Sequence, residues 1–380
     1  MTSDQNFDHT DTFGFLNRNA PLREKLSAAH QTVQQSMPFI ARIALTLYDP
    51  DTRVLKSYLH SGGDHEPLEH YQAIIDSAPS LVEILKRGRP RVINNMLTIE
   101  HGEHEHSQRI GREGYAASYT LPMFNNGDFL GFLFFNSFEH DVFSEPVLRQ
   151  LDLYGHLISL IVINELSNIK TLNAALKTTG HITHRRDPET GSHLDRMSRY
   201  SRLIARVLAD RYQLDDDYIE HIFMFSPLHD IGKIAIPDRI LLKPGALTDD
   251  ELLIMRTHPL RGQEMITDLL ANFGLENTEH VDMLRNIAIY HHEAINGGGY
   301  PEGKSGEDIP LEARIVAVAD VFDALTSRRP YKEAWDNDRA FETLGKMAGE
   351  QLDRDCVDAL LSQREEIVAI QLQFQENIYG

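Results

Sequence analysis

Histidines and carboxylates recur along this chain at spacings that a helix converts into proximity. Glu189 and His193 stand four residues apart, so one helical face would carry both. His229 and Asp230 close the apolar stretch HIFMFSPL and precede Ile231-Gly232-Lys233. Buried there without partners, two ionisable groups would cost on the order of several kcal/mol, which a metal ion would offset; a helix end facing water is the plain alternative. His258, before Pro259 and a helix beginning near Gly262, has by itself the setting of a surface histidine more than of a ligand. His291 and His292 close the apolar run NIAIY. Adjacent helical residues point about 100° apart, so this pair is expected to reach two neighbouring ions rather than share one. Asp320 lies in the apolar run RIVAVADVFDAL, where a carboxylate is expected to be buried and charge-compensated. Asp323, almost a turn on, fits either a partner that orients a ligating histidine or a core acceptor. The pattern suits a site for several metal ions with nitrogen and oxygen ligands.

Bulk properties narrow the setting. At 380 residues the chain exceeds one ordinary core, so two domains of roughly 150–200 residues are expected. The single cysteine, Cys356, excludes an internal disulfide and any CxxC metal site, and suits a reducing cytoplasm. The apolar run Leu157–Ile163 is short for a bilayer, and MTSDQNFDHTDTFGF lacks the basic start and apolar core of a secretion signal. A net charge of −20 with no basic recognition helix argues against DNA or RNA polymers as partners. A small anionic substrate remains compatible, because metal ions and a few local cations can reverse the potential inside a cleft.

Three segments must position these groups. Residues 1–143 mix strands and helices: Phe39–Tyr48 and Val54–Leu59 flank Asp49-Pro50-Asp51 as a hairpin, Pro79–Lys86 forms a helix, and Ser118–Phe124 pairs with Phe129–Phe135 across Asn126-Gly127. An antiparallel sheet with flanking helices, an α+β domain, follows. His101, His104 and His106 in HGEHEH lie in an acidic stretch and are expected to be solvated. Residues 144–179 form one long helix capped by Ser144, with Leu151, Tyr154, Ile158, Ile161, Val162, Leu166, Ile169 and Leu176 recurring mostly at steps of three and four. That stripe could pack on its own domain or form half of a two-helix seam; the seam of a homodimer is the favoured expectation. Residues 180–380 are mostly helical, through His193–Asp210, Asp216–Phe225, Thr248–His258, Gly262–Phe273, Val281–His291 and Leu311–Thr326.

Two families are resembled. RIALTLYDPDTRVLKSYLHSG, SLVEILKRGRPRVINNM and SYTLPMFNNGDFLGFLFFNS make the front segment similar to a GAF domain, a small-molecule-sensing module whose ligand here is not legible. DPETGSHLDRMSRYS, LHDIGKIAIPDRILLKPGALT, MRTHPLRG, IAIYHHEAINGGGYPEG and IPLEARIVAVADVFDALTSRRPYKEA, in that order, resemble the HD-GYP domain, an all-α branch of the HD phosphohydrolases that cleaves cyclic dinucleotides. That resemblance implies Glu189, His193, His229, Asp230, His258, His291, His292 and Asp320 as ligands of two or three divalent ions, iron or manganese. It makes Asp230 the bridging carboxylate and Glu189 the mark of a third ion. It puts Lys233 beside the scissile phosphate, Arg329 and Lys332 on phosphate oxygens, and Gly299 and Tyr300 in a substrate-side loop, Gly297–Pro301. Asn296 stands where many members carry aspartate. The implied reaction is hydrolysis of cyclic di-GMP to linear pGpG and on to GMP. The alternatives are 3′,3′-cyclic GMP–AMP or another cyclic dinucleotide as substrate, or a non-catalytic nucleotide receptor or docking domain.

Overall fold

The protein is represented by a computed structural model that describes residues 11–18, 20–62, 70–96, 110, 112–184, 191–273, 280–327 and 334–375, the side chains of 168–191 excepted. Two compact units emerge, Met1–Leu166 and Ser167–Gly380.

In the first unit, α1 (Leu22–Ser36) precedes strands β1 (Arg42–Asp49), β2 (Val54–Ser61) and β3 (Gln72–Ile74). Helix α2 (Pro79–Arg87) leads to β4 (Arg91–Ile93), β5 (Ala117–Asn125) and β6 (Asp128–Ser137). The sheet is antiparallel, in the order β3-β2-β1-β6-β5-β4. Period-two alternation builds a core on each face. Ile43, Leu45 and Leu47 of β1, with Leu133 and Phe135 of β6, meet Leu22, Leu26 and Val33 of α1. Their neighbours Ala44, Phe132 and Phe134 turn to the other face, against Leu81 and Ile84 of α2. The β5–β6 hairpin closes through Asn126 and Gly127, with Asn125 paired to Asp128. The α+β class expected for this segment is the observed one.

Helix α3 (Glu145–His184) is the expected long helix, but its first half is no connector. Leu151, Ile158, Val162 and Leu166 are buried in the same core as β1, β5 and β6, and Tyr154 and Ile161 pack against it. This corrects the seam expectation for these residues: α1 covers only part of that sheet face, and α3 takes the rest. By length and composition Glu145–Ser167 could cross a bilayer, which the shorter run Leu157–Ile163 does not suggest. Its inward stripe is instead packed on the sheet. Leu153 and Leu160 point outward, 74% and 62% exposed.

The second unit is a helical assembly. It comprises α4 (Gly191–Tyr212), α5 (Asp216–Phe225), α6 (Asp238–Leu241), α7 (Asp249–Met255), α8 (His258–Phe273) and α9 (Val281–Tyr290). It continues through α10 (Leu311–Thr326), α11 (Asn337–Met347), α12 (Arg354–Leu361) and α13 (Arg364–Gln373). Asp215 caps α5 by accepting from Tyr218 N, and Thr248 with Glu251 forms a capping box on α7. Tyr200 of α4 meets Phe322 of α10 edge-on, and Phe322 stacks on Phe341 of α11. Around that core, α5 ends at Phe225 because Pro227 cannot donate to the helical ladder. The chain tightens into a 3-10 turn, Ser226–Leu228, and delivers His229 and Asp230 at a bend rather than on a helix.

Candidate metal centre

Asp230 stands between two groups of donors. Its Oδ1 lies 3.0 Å from His258 Nε2 and 3.6 Å from His291 Nε2. Its Oδ2 lies 3.1 Å from His229 Nε2 and 2.7 Å from Lys233 Nζ. Asp230, His258, His291 and His292 form one group, and His193, His229 and Asp320 the other; within each, the donor atoms lie within 4.8 Å of one another. Asp320 Oδ1 is 3.8 Å from His193 Nε2 and 4.0 Å from His229 Nε2.

Five elements supply these side chains. His193 comes from α4, His229 and Asp230 from the bend after α5, His258 from the start of α8, His291 and His292 from the end of α9, and Asp320 from α10. A close backbone approach makes this possible. A Cβ on Gly232 would sit 1.9 Å from His258 O and 2.4 Å from Gly262 N, so only glycine lets the Asp230 bend reach the first turn of α8.

Imidazole orientation is set by local backbone. Nδ1 of His229 bonds Ser226 O, that of His258 bonds Met255 O, and that of His291 bonds Ile287 O, each at 2.9 Å. Donation from Nδ1 leaves Nε2 as the lone-pair nitrogen, the form a metal binds. His193 uses a carboxylate instead: its Nδ1 is 2.8 Å from Asp323 Oδ2. Asp323 is fully buried and also accepts from Arg196 Nε at 2.6 Å, Arg196 Nη2 at 2.9 Å and Ser327 Oγ at 2.9 Å. Of its two expected roles, it takes that of orienting partner.

Electrostatics favour the same donor states. Burial alone would raise the Asp230 carboxyl, but the Lys233 ammonium and His229 outweigh it and hold the group well below the ordinary carboxylate range. Burial lowers His291, and burial with the neighbouring His291 lowers His292 further, so both stay neutral. Burial also raises the Asp323 carboxyl, and His193 with Arg196 more than reverse it. Asp230 Oδ1 is buried and makes no hydrogen bond, although two imidazole nitrogens crowd it. Imidazoles converging on carboxylates are a donor set that fits divalent cations.

The loop after α9 walls one side. Glu293, buried, accepts from the backbone N–H groups of Glu302 at 2.8 Å and Gly303 at 3.1 Å. Tyr300 N donates to His292 O at 3.1 Å, and the Tyr300 ring stacks on His292 at 4.8 Å. A Cβ on Gly299 would come within 2.3 Å of Ala294 N, so the loop can fold back only with glycine there. Arg256 lies over the Tyr300 ring, its Cζ 5.2 Å from the centroid.

Three readings change. His291 and His292 fall in one donor group, their rings 4.2 Å apart. They follow Tyr290, the last residue of α9, with His291 itself still in right-handed helical conformation. Asp320 is not sealed in the core; its side chain is 18% exposed and faces the donors. His258 begins α8 itself, four residues before Gly262. Glu189, Arg329, Lys332 and the HGEHEH histidines lie outside the described residues. Sequence reasoning gives no role to Glu293, Arg196 or Arg256. The adjacency of Glu293 to the histidine pair and the i+3 spacing of Arg196 from His193 are the signals that could have found the first two.

A family model described as an HD domain matches residues 188–356. The "Cyclic di-GMP phosphodiesterase response regulator RpfG" of Xanthomonas campestris pv. campestris is 49% identical over 189 residues, 50% of this chain and 47% of that protein. A "Cyclic di-GMP phosphodiesterase" of Thermotoga maritima is 37% identical over 195 residues, 51% of this chain and 50% of that protein. The "3'3'-cGAMP-specific phosphodiesterase 2" of Vibrio cholerae is 34% identical over 236 residues, 61% of this chain and 43% of that protein. The chain thus spans about half the length of these curated relatives. Among solved structures, the GAF domain of an Acinetobacter phosphoenolpyruvate-protein phosphotransferase is similar over 41% of this chain and 90% of its own, with 15% identity and a TM-score of 0.33.

Proposed function

We propose, from the match of residues 188–356 to an HD-domain model, that the second unit is a metal-dependent phosphodiesterase that hydrolyses cyclic di-GMP to linear pGpG and then to GMP. The observation that carries this reading is Asp230, one carboxylate reaching both donor groups with Lys233 at its side. His193, His229, Asp230, His258, His291, His292 and Asp320 would hold two divalent ions, with Glu189 as the ligand of a third. Iron or manganese suits this nitrogen and oxygen set. Once bound, such ions supply Lewis acidity toward the phosphodiester and activate water.

The chain's own residues do the rest. Asp230 holds its negative charge between the two groups, kept there by Lys233 and the imidazoles. Lys233, whose Nζ lies beside Asp230 Oδ2, is assigned to donate to a phosphoryl oxygen. Arg329 and Lys332 are assigned to the same phosphate. Tyr300 stays neutral, its hydroxyl raised by burial and by Asp230, and with Gly299 it shapes the substrate side of the cleft. In the reaction a water oxygen bonds to phosphorus as the P–O3′ bond breaks, and the water's proton passes to the departing O3′. One such step opens the ring to pGpG; a second yields two GMP.

3′,3′-Cyclic GMP–AMP is the rival substrate, supported by the name of the Vibrio cholerae relative. The first unit is assigned the regulation of this activity through an unidentified small ligand, in a cytoplasmic homodimer. The test is anaerobic incubation of the full chain with Fe²⁺ or Mn²⁺ and each dinucleotide in turn. Formation of pGpG is expected, with Asp230→Asn slower by on the order of 10²-fold or more and its helical circular dichroism retained. A variant within a few-fold of the parent would sink the assignment. Tight binding with no product from the parent would favour the receptor reading.

A further inference from the structure

A third donor group lies apart from the residues used above. Asp217, His221 and His280 each offer a ligand atom, and these atoms lie within 4.8 Å of one another. Asp217 sits in the first turn of α5, and His221 follows one turn later on the same face. His280 is the residue before α9, held in a left-handed conformation at φ 59° that points its ring at Asp217 rather than along its own helix. His280 Nε2 is 3.0 Å from Asp217 Oδ2, and His221 Nδ1, 3.3 Å from Asp217 Oδ1, donates to Asp217 O at 2.8 Å, which leaves Nε2 of His221 as its lone-pair nitrogen. The two rings stand 4.4 Å apart.

We propose that Asp217, His221 and His280 form a structural site for a divalent transition-metal ion of the zinc type, pinning the N-terminal ends of α5 and α9. Asp217 is 1% exposed, and its Oδ1 is buried without a hydrogen bond. An ionised carboxylate in so dry a place needs positive charge beside it. Its partners here are two imidazoles, which carry charge only when protonated. A dication supplies the missing charge, and two nitrogens with one oxygen suit zinc or its neighbours. The side chain of His280 is 23% exposed, which gives an ion its entry path and leaves a place for water as a further ligand.

The placement explains what the site is for. The far end of α5 leads to His229 and Asp230, and the far end of α9 to His291 and His292. Each helix has ten residues, about 15 Å. Tying their starts together sets the spacing at which their ends deliver four of the donors of the other centre.

The full chain and His280→Gln, both stripped with chelator, are dialysed against Zn²⁺ alone, and metal per chain is measured. The parent is expected to hold one equivalent more than the variant. The same difference is expected when both also carry His258→Ala, so failure of the phosphodiesterase reading would leave it untouched. Equal metal content in folded parent and variant overturns the site and leaves a proton-balanced ion pair. If His280→Gln does not fold, the parent decides alone. Diethylpyrocarbonate should label His280 in the stripped chain and at least several-fold less after Zn²⁺ is added; equal labelling overturns the proposal.

Discussion

The histidines around Asp230 are aimed by two devices. Three use a nearby backbone carbonyl on Nδ1, whereas His193 relies on Asp323, itself held by Arg196 and Ser327. A carbonyl three or four residues back comes with the local fold; a carboxylate 130 residues away does not. His193 is therefore the donor most exposed to a single substitution elsewhere. Asp323→Asn keeps an acceptor of the same shape but removes the charge that favours His193 as a ligand. Metal affinity should fall by roughly 10–100-fold, the usual size of such an effect on a ligating histidine. Competitive titration with a chelator of known affinity reads it directly, and an unchanged titration would mean that Asp323 serves the core alone.

Helix α3 shows how an apolar stripe acquires its partner. Ile158 is buried against the sheet, so Ile158→Glu forces an unpaired carboxylate into a dry core at a cost on the order of several kcal/mol. The first unit should then unfold, seen as loss of its near-ultraviolet signal. Leu153 and Leu160 lie seven residues apart on the outer face, and there a charge costs little in the single chain. If that face holds a second copy, Leu153→Glu with Leu160→Glu should convert a dimer into a folded monomer in sedimentation at micromolar concentration. A double variant that stays dimeric moves the interface elsewhere, and a monomeric parent removes it.

Two separate cores imply two separate stabilities. The first unit closes around its sheet and the second around Tyr200, Phe322 and Phe341, with their own sets of buried residues. Units with independent cores are expected to unfold independently. Calorimetry should resolve two transitions, and an added divalent ion should raise only the second, because every donor group named here belongs to residues after 166. An ion held at 100 times its dissociation constant stabilises by about 2.7 kcal/mol, a shift of a few degrees. One merged transition, or a shift in both, would contradict the separation.

Much of this was readable from residues close together in the chain. The alternation of β1 and β6, the helix Asp216–Phe225, and the pairing of histidine with aspartate at 229 and 230 rest on contacts a few residues long, which local pattern encodes. The full donor set followed from the family resemblance, since the residues alone left a solvated helix end open at His229 and Asp230 and a surface histidine open at His258. What the chain order could not reveal is where distant pieces meet. His291 and His292 fall in one group with Asp230 and His258, and Asp320 meets His193 and His229, only where the fold brings these elements together. Asp217 and His280, 63 residues apart, become neighbours only because α5 and α9 start side by side. Ile158 is core and Leu153 surface for the same reason: both are apolar on one helix, and the sheet alone chooses which of them it covers.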